Sequence, residues 1–233
     1  MKPTSDLVTA FLPCRKGSER VPRKNIRPFG PFEQGLLEVK LGQLLDCPAI
    51  DRVALSTNDQ EIIEFAESLE SPRLFIHRRA EHLASSETST DDLVAHAYEL
   101  IETGHILWTH VTSPFVTADI YGDIIAAYRQ ALTEGFDSLM TTTELHAFLW
   151  TSAGPLNYNR SVEKWPRTQT ITPVHEINSA AFLASAELYA FHHDRIGLNP
   201  RLHPLDRLVA LDIDWEPDFA IAQQLLLLNL ATT

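Results

Sequence analysis

The chain has 233 residues and a formal net charge of −12, with 44% hydrophobic and 21% charged residues; this length suits one domain with a sizeable core, and this balance excludes wholesale disorder. The negative charge argues against binding to a nucleic-acid polymer, and no apolar stretch approaches the ~18–20 residues that a membrane span needs. Two cysteines and a polar N-terminus without the layout of a secretory signal favour a cytoplasmic location.

Short apolar runs alternate with amphipathic segments along the chain. Strands are predicted at 7–12, 52–56, 74–76, 106–111, 138–142, 177–184 and 208–213, and helices at 35–45, 59–69, 91–101, 118–132 and 217–230. Asn58 or Asp59 is expected to cap the second helix, and Thr117 the fourth. This alternation indicates βαβ units and a mostly parallel sheet with helices on both faces. The predicted fold class is therefore α/β, a three-layer, Rossmann-like α/β/α domain that spans residues 1–233.

One segment, 146–173, interrupts the alternation of strands and helices. It is rich in Pro, Trp and Tyr, and it contains only possible short strands. We interpret it as an excursion from the sheet and not as a second domain.

A basic loop follows the first predicted strand. Residues 15–27 read RKGSERVPRKNIR and hold six of the 19 basic residues of the chain. The loop lies where open α/β sheets bind ligands, and Gly17 and Ser18 allow a tight turn that directs backbone N–H groups at an anion. Neither a G-x-G-x-x-G nor a Walker A sequence is present, which disfavours a dinucleotide-binding dehydrogenase and a P-loop NTPase. A solvated basic loop is the alternative, but the position after the first strand favours phosphate binding.

Two acids, Asp212 and Asp214, come at the end of the last predicted strand. Residues two apart on a strand point to the same face with Cα atoms ~6.5–7 Å apart, so both carboxylates can reach one cation. Hard oxygen ligands suit Mg²⁺ that bridges to substrate phosphates. On spacing alone, the simpler interpretation is that Asp214 caps the following helix and Asp212 is a strand-end acid.

The residues from Pro13 to Asn25 resemble the signature loop of the acylneuraminate cytidylyltransferases, the family that makes CMP-sialic acid and other CMP-keto-sugar acids. Asp212-Ile213-Asp214 resembles the metal motif of that family, which shifts our interpretation of the two acids to metal binding. Further segments resemble family motifs in the same order: residues 53–59, 78–85, 110–115, 165–169 and 178–182. The resemblance runs from about residue 7 to 229.

The resemblance implies a nucleotidyltransferase fold and transfer of CMP from CTP to the anomeric hydroxyl of an acidic keto-sugar, with release of pyrophosphate and Mg²⁺ as cofactor. It implies four catalytic residues, of which the two acids hold the metal: Arg15, Lys24, Asp212 and Asp214. The implied nucleotide-binding residues are Arg15, Gly17, Ser18, Arg20, Lys24, Asn25, Arg78, Ser89 and Thr90. The implied acceptor-binding residues are His110, Arg167, Asn178 and Phe182. The excursion matches the region with which family members form homodimers.

Two positions depart from the family pattern and leave alternatives open. Glu19 stands where the family usually has Lys, and we expect Arg20 to take over the cationic role. His110 stands where the family has Gln; it could bind the acceptor, act as a base in place of a metal-bound hydroxide, or be a plain strand-end residue.

Other functions remain open at this point: the same reaction on a Kdo-like, pseudaminic, legionaminic or non-sugar acceptor, a nucleotide-sugar glycosyltransferase, or a degenerate nucleotide-binding domain. The late position of the acid pair disfavours the glycosyltransferase. The main interpretation requires that Arg15 and Lys24 meet Asp212 and Asp214 across one cleft.

Overall fold

A seven-stranded sheet forms the centre of the structure, a computed structural model that describes residues 2–85 and 87–233. The strands in chain order are β1 (Val8–Pro13), β2 (Arg52–Thr57), β3 (Leu74–Arg78), β4 (His105–Trp108), β5 (Ser138–Leu145), β6 (Trp150–Thr151), β7 (Gly154–Pro155), β8 (Val174–Ser185) and β9 (Pro200–Pro204). The order across the sheet is β3-β2-β1-β4-β8-β5-β9, and β6 pairs only with β7. Neighbouring strands are parallel except that β8 runs antiparallel to β4 and β5, which confirms the mostly parallel sheet.

Helices cover both faces of this sheet. They are α1 (Gly35–Asp46), α2 (Gln60–Ser68), α3 (Thr90–Leu100), α4 (Ala118–Thr133), α5 (Ala186–His192) and α6 (Glu216–Leu227). One buried cluster joins α1, α4 and α6 to the sheet through side chains such as Leu37, Ile125 and Phe219. The other cluster joins α3 and α5 to the opposite face through Ala97 and Tyr189. The predicted three-layer α/β/α fold is therefore confirmed. Among the described helices, none combines the length and apolar character of a membrane span.

Local hydrogen bonds set the starts of several helices. Asp59, and not Asn58, caps α2, because its carboxylate accepts the Glu61 N–H at 3.1 Å. Thr117 caps α4 as predicted, with its hydroxyl 3.4 Å from the Ile120 nitrogen. Ser185 ends β8 and at once caps α5, a helix that the sequence pattern did not reveal.

The predicted strand at 208–213 is wrong. Residues 207–210 form a turn, and 211–214 have no regular structure. The reason lies in Asp206, whose carboxylate accepts the Leu208 N–H at 2.8 Å and whose carbonyl accepts the Ala210 N–H at 2.8 Å, so the chain winds back on itself. The last strand is β9, which pairs with β5 in parallel. The sequence analysis missed it because it begins and ends with a proline.

The excursion at 146–173 contains the β6–β7 hairpin and a cluster of aromatic side chains. The Arg160 guanidinium lies 5.4 Å and 5.6 Å from the ring centroids of Trp150 and Trp165, which are 51% and 65% exposed. Asn157 ties the excursion together by donating from its amide to the carbonyls of Ala147 and Thr172. Exposed aromatic surface of this kind suits a contact between two copies of the chain, which stays a prediction.

A fully buried lysine holds the loop that follows β4. Lys40 on α1 donates from Nζ to Gln43 Oε1 at 2.7 Å, to the Ser113 carbonyl at 2.8 Å and to the Tyr121 hydroxyl at 2.7 Å. Gln43 also donates to the Pro114 carbonyl at 2.6 Å. Burial without a carboxylate partner lowers the pKa of Lys40 well below 10.5. The loop is therefore fixed to α1 and α4 by polar bonds inside the core.

Lys40→Met tests the depressed pKa of this buried amino group through its effect on the free energy of unfolding at different pH values. Because the pKa of Lys40 is depressed in the folded chain, the unfolded chain binds more protons at this residue below 10.5. The free energy of unfolding of the wild type should therefore rise, relative to Lys40→Met, as pH increases from neutral towards 10.5, by up to about 1.4 kcal/mol per pH unit. Denaturant titrations check this, with the exposed Lys164→Met as control; parallel curves for wild type and Lys40→Met would contradict it.

Candidate active site

The basic loop and the acid pair meet at the carboxyl end of β1. Lys24 Nζ donates to the Ile213 carbonyl, which lies between the two acids, at 2.7 Å across 189 residues of sequence. Arg20 Nη1 lies 3.1 Å from Asp214 Oδ1. The spatial condition that the sequence interpretation depends on is therefore met at Lys24.

A cavity of about 400 Å³ lies beside this junction. Arg15, Gly17 and Lys24 line it from the basic loop, and His110 lines it from the loop after β4. A larger cavity of about 640 Å³ lies at the opposite end of the strands, beside Leu74. The basic loop lines the smaller cavity and not the larger one, and the acids lie beside the smaller one through the Lys24 bond to Ile213, so the smaller cavity is the candidate site.

The backbone of the basic loop leaves donors free for a ligand. Gly17 has φ of +75°, which an L side chain adopts rarely. The N–H groups of Gly17 and Ser18 donate no hydrogen bond within the described part of the chain. The loop is held from behind, because the Lys16 N–H donates to Asn58 Oδ1 at 2.8 Å and the Asn25 amide donates to the Arg15 carbonyl at 3.0 Å. Asn25, predicted to bind the nucleotide, thus lines the cavity and also fixes the loop.

The two acids occupy different surroundings. Asp212 Oδ1 is buried and has no hydrogen-bond partner among residues 2–85 and 87–233. Burial raises the pKa of Asp212 above its usual value, against the opposing effect of hydrogen bonding from Thr112 and Ser179. An unpartnered buried carboxylate oxygen is a costly group unless a ligand, such as a cation, satisfies it.

Asp214 does not cap α6. The carboxylate of Asp218 accepts the N–H groups of Asp214 and Trp215 at 3.1 and 2.7 Å, so it is Asp218 that satisfies the start of the helix. The simpler interpretation of the acid pair, in which Asp214 is a helix cap, is therefore wrong. Its carboxylate is left to pair with Arg20.

The structure places Arg78 away from the cavity. Its guanidinium bonds to Gln60 and lies 3.3 Å from Glu67, both on α2, and the side chain is 62% exposed. The neighbouring Arg79 turns inward instead and donates to the Ser56 hydroxyl at 3.1 Å and to the Ser56 carbonyl. Arg78 therefore lies outside the lining of the cavity, and its part in nucleotide binding stays a prediction. The sequence analysis missed Arg79, which fixes the loop after β3.

Ser89 and Thr90 start α3. The Ser89 hydroxyl accepts the Asp92 N–H at 3.0 Å, and the Asp92 carboxylate accepts the Ser89 N–H at 3.3 Å, so the two residues form a capping box. This accounts for Ser89 structurally, and the predicted contact of these two residues with the ribose stays a prediction.

His110 is held as a neutral ring. Trp108 Nε1 donates to His110 Nε2 at 2.8 Å, so the proton of the neutral ring is on Nδ1. Burial, with the nearby cations Arg195, Lys24 and Lys40, lowers the pKa of His110 to about 3. A ring with this pKa, and with its Nε2 lone pair occupied, is a poor general base at neutral pH and a good hydrogen-bond donor.

The other predicted acceptor residues fall into three situations. Asn178 is buried in the sheet, where Oδ1 accepts from the Thr141 hydroxyl at 2.6 Å and Nδ2 donates to the Thr143 hydroxyl at 3.2 Å, so it stabilises the bulge between β5 and β8. Phe182 is 2% exposed in β8. Arg167 is exposed on the excursion. The structure therefore gathers Arg15, Lys24 and His110 at the cavity, and leaves Arg167 outside its lining.

Comparison with known proteins identifies relatives of the whole chain. A family model described as cytidylyltransferase matches residues 9–214. Two proteins of Campylobacter jejuni named pseudaminic acid cytidylyltransferase are 26% and 25% identical over 227 residues, which cover 94% of this chain and 96% of each relative.

Solved structures share the fold at low sequence identity. A CMP:2-keto-3-deoxy-manno-octonic acid synthetase complexed with CTP superposes with a TM-score of 0.66 at 13% identity, covering 96% of this chain and 100% of that chain. A 4-diphosphocytidyl-2C-methyl-D-erythritol synthase from Anaerococcus prevotii has a TM-score of 0.67 at 13% identity, with 96% and 97% covered. These likenesses confirm the fold.

The neutral state of His110 predicts a distinct response to acid. His96, whose Nε2 lies 2.8 Å from the Ser56 hydroxyl, has a pKa lowered to about 4, mainly by burial. As pH falls through 6.5, the ring NMR signals of His96 and His110 should stay unchanged. Only the unfolded chain gains these protons as pH falls below 6.5. The contribution of the two neutral rings to the free energy of unfolding is therefore fully present above pH 6.5 and is lost as pH falls towards their pKa values in the folded chain. Titration of His110 near 6.5 would contradict this and restore it as a candidate base.

Proposed function

Because the chain belongs to the cytidylyltransferase family, we propose that it transfers CMP from CTP to the anomeric hydroxyl of an acidic keto-sugar and releases pyrophosphate. The observation that carries this proposal is the bond from Lys24 to the Ile213 carbonyl, which joins the basic loop to Asp212 and Asp214 beside one cavity. The pseudaminic acid cytidylyltransferases, similar along nearly their whole length, support an acidic sugar as acceptor.

The basic loop would bind the triphosphate. Arg15, Arg20 and Lys24 line the cavity with the backbone of Gly17 and Ser18, whose N–H groups have no partner in the described chain. Cations and amides that converge on phosphate oxygens offset the negative charge of the ground state and of the transition state. Since phosphoryl-type transfer depends mainly on positioning and charge neutralisation, this loop would supply most of the catalysis.

Asp212 and Asp214 would hold Mg²⁺. The buried Asp212 oxygen without a partner fits a cation ligand. No group of three or more His, Cys, Asp or Glu side chains fit to hold a metal occurs in the residues that the structure describes, so the remaining ligands would come from phosphate oxygens and water, as Mg²⁺ prefers. When bound, the ion would neutralise charge on the reacting phosphate.

The ion pair between Arg20 and Asp214 would rearrange on substrate binding. Both side chains are about half exposed, at 50% and 48%, so the pair is weakly held. We expect Arg20 to turn to the triphosphate, which frees the Asp214 carboxylate for the cation. Arg20 would thus supply the positive charge to the triphosphate that the family usually supplies with Lys at the position of Glu19.

The reaction would be an in-line displacement. The acceptor oxygen forms a bond to the α-phosphorus, the bond from that phosphorus to the bridging oxygen breaks, and pyrophosphate leaves with the electron pair. The hydroxyl proton must pass to a base, and the pKa of about 3 makes His110 unsuited to accept it. His110 would instead donate a hydrogen bond from Nδ1 to the acceptor.

A pyrophosphate-release assay tests the proposal directly. CTP with Mg²⁺ is incubated with each of four sugar acids: pseudaminic acid, legionaminic acid, N-acetylneuraminic acid and Kdo. We expect pyrophosphate and a CMP-sugar with CTP and at least one acid, and none when UTP or GTP replaces CTP. Preference for UTP would point to a glycosyltransferase, and absence of nucleotide binding by calorimetry would point to a degenerate domain.

Asp212→Asn separates the metal role from the stability of the fold. Loss of the charge should lower pyrophosphate release about a thousandfold, as several kcal/mol of charge stabilisation disappear. Because burial raises the pKa of Asp212, its ionised form costs stability at neutral pH, and the variant should melt at the same or a higher temperature. Mn²⁺ binding, followed by electron paramagnetic resonance, should weaken in this variant and not in the exposed Asp123→Asn control. Unchanged Mn²⁺ affinity together with near-full activity would refute the metal assignment.

A further inference from the structure

Arg195 lies on the loop between α5 and β9, outside every sequence motif considered above. Its guanidinium carbon is 3.9 Å from the Phe182 ring centroid and 5.1 Å from that of Trp108. These two rings are register partners on β8 and β4, and both are almost fully buried. Stacking on two buried aromatic rings therefore fixes the position of this cation against the sheet.

The Arg195 guanidinium has no acidic partner. Among the residues that the structure describes, none forms an ion pair or a side-chain hydrogen bond with it, although the chain has 31 acids and 19 basic residues. The adjacent Asp194 is used otherwise, since its carboxylate accepts the N–H groups of Arg195 and Ile196. Burial lowers the pKa of Arg195, while Asp194 opposes that effect through space, and the guanidinium stays charged at neutral pH. A partly buried cation that makes no direct ion pair within the described residues can bind an anion.

Arg195 is connected to the candidate site through Trp108 and His110. Trp108, one of the rings under the guanidinium, donates to His110, and His110 lines the cavity. The Arg195 guanidinium carbon lies 5.1 Å from the Trp108 ring centroid, and the ring centroids of Trp108 and His110 are 6.1 Å apart. The strands β1, β4 and β8 are neighbours in this order across the sheet. The basic loop comes after β1 in the chain, His110 comes after β4, and Phe182 lies on β8. Arg195 is thus on the side of His110 away from the phosphate-binding loop.

We propose that Arg195 binds the carboxylate of the acidic acceptor and selects sugar acids over neutral sugars. The proposal rests on the proposed function, since it assigns the acceptor half of the same site. A guanidinium held by stacking keeps its N–H edges free and can bind both carboxylate oxygens. The Nδ1–H of His110 would supply a further donor beside it. Arg167, the arginine expected for this role from the resemblance, has no comparable support, because it is exposed on the excursion.

The test compares Arg195→Gln with Arg201→Gln. Arg201 on the edge strand β9 is a matched control, since its guanidinium also lies over a phenylalanine ring, that of Phe136 at 5.1 Å, but pairs with Glu134. With the best acid of the panel, Arg195→Gln should raise the KM for the acid about ten- to a hundredfold. The KM for CTP and the melting temperature should stay unchanged, and Arg201→Gln should resemble the wild type.

The methyl ester of the same acid adds a second readout. The KM of the wild type for the ester should be about as high as the KM of Arg195→Gln for the acid. For Arg195→Gln, the KM values for the acid and the ester should be nearly equal. The assignment would be overturned if the KM for the acid were unchanged in Arg195→Gln, or if it rose more in Arg167→Gln than in Arg195→Gln. Turnover of the acid by the wild type would still uphold the proposed function in that case. If no acid of the panel is turned over by the wild type, the proposed function fails and this inference falls with it.

Discussion

The hydrogen bond from Lys24 to the Ile213 carbonyl is the contact on which the candidate site depends. It joins residues 189 apart in sequence, one in the loop after β1 and one in the irregular segment before α6. Burial of the lysine lowers its pKa, while Asp214 and Asp212 oppose that effect, so the cation is held by the acids that flank its acceptor. A second bond, from the Ile213 N–H to the Thr112 carbonyl at 2.9 Å, ties the same segment to the loop after β4. One residue thus connects three parts of the site.

The charge distribution explains how an acidic protein can keep a phosphate site. With a net charge of −12, the surface as a whole repels anions, and the basic loop creates a local exception. Acids neutralise part of this loop: Glu61 pairs with Arg23 at 2.7 Å, and Glu216 pairs with Arg27 at 2.6 Å. Arg15 has no such pair among the described residues, and it lines the cavity. Arg23 and Arg27, which lie outside the lining of the cavity, are thus paired with acids, whereas Arg15 is left for a ligand.

The sequence predicts the first half of the fold well because each element there has a local signature. Buried parallel strands such as β1 and β2 are continuous apolar runs, and amphipathic helices follow them at regular intervals. The prediction fails at 208–213, where hydrogen bonds to Asp206 fold an apolar run into a turn. It also fails at β9, which is short and begins and ends with a proline. The basic loop and the acid pair could be found from charge clustering and motif spacing. The inward direction of Arg79 and the stacking of Arg195 could not, because they depend on strand register and on contacts that are distant in sequence.

His110 shows how a single substitution in a motif can change the chemistry of a site. A Gln at this position offers both a donor and an acceptor, whereas His110 gives its acceptor nitrogen to Trp108 and retains one donor. Nearby cations and burial keep the ring neutral, so it does not repel Lys24 or Arg195. In the proposed acceptor site, His110 and Arg195 would both offer hydrogen-bond donors. Such a pair would suit an acceptor that brings its own negative charge, and a neutral sugar would leave Arg195 without a partner.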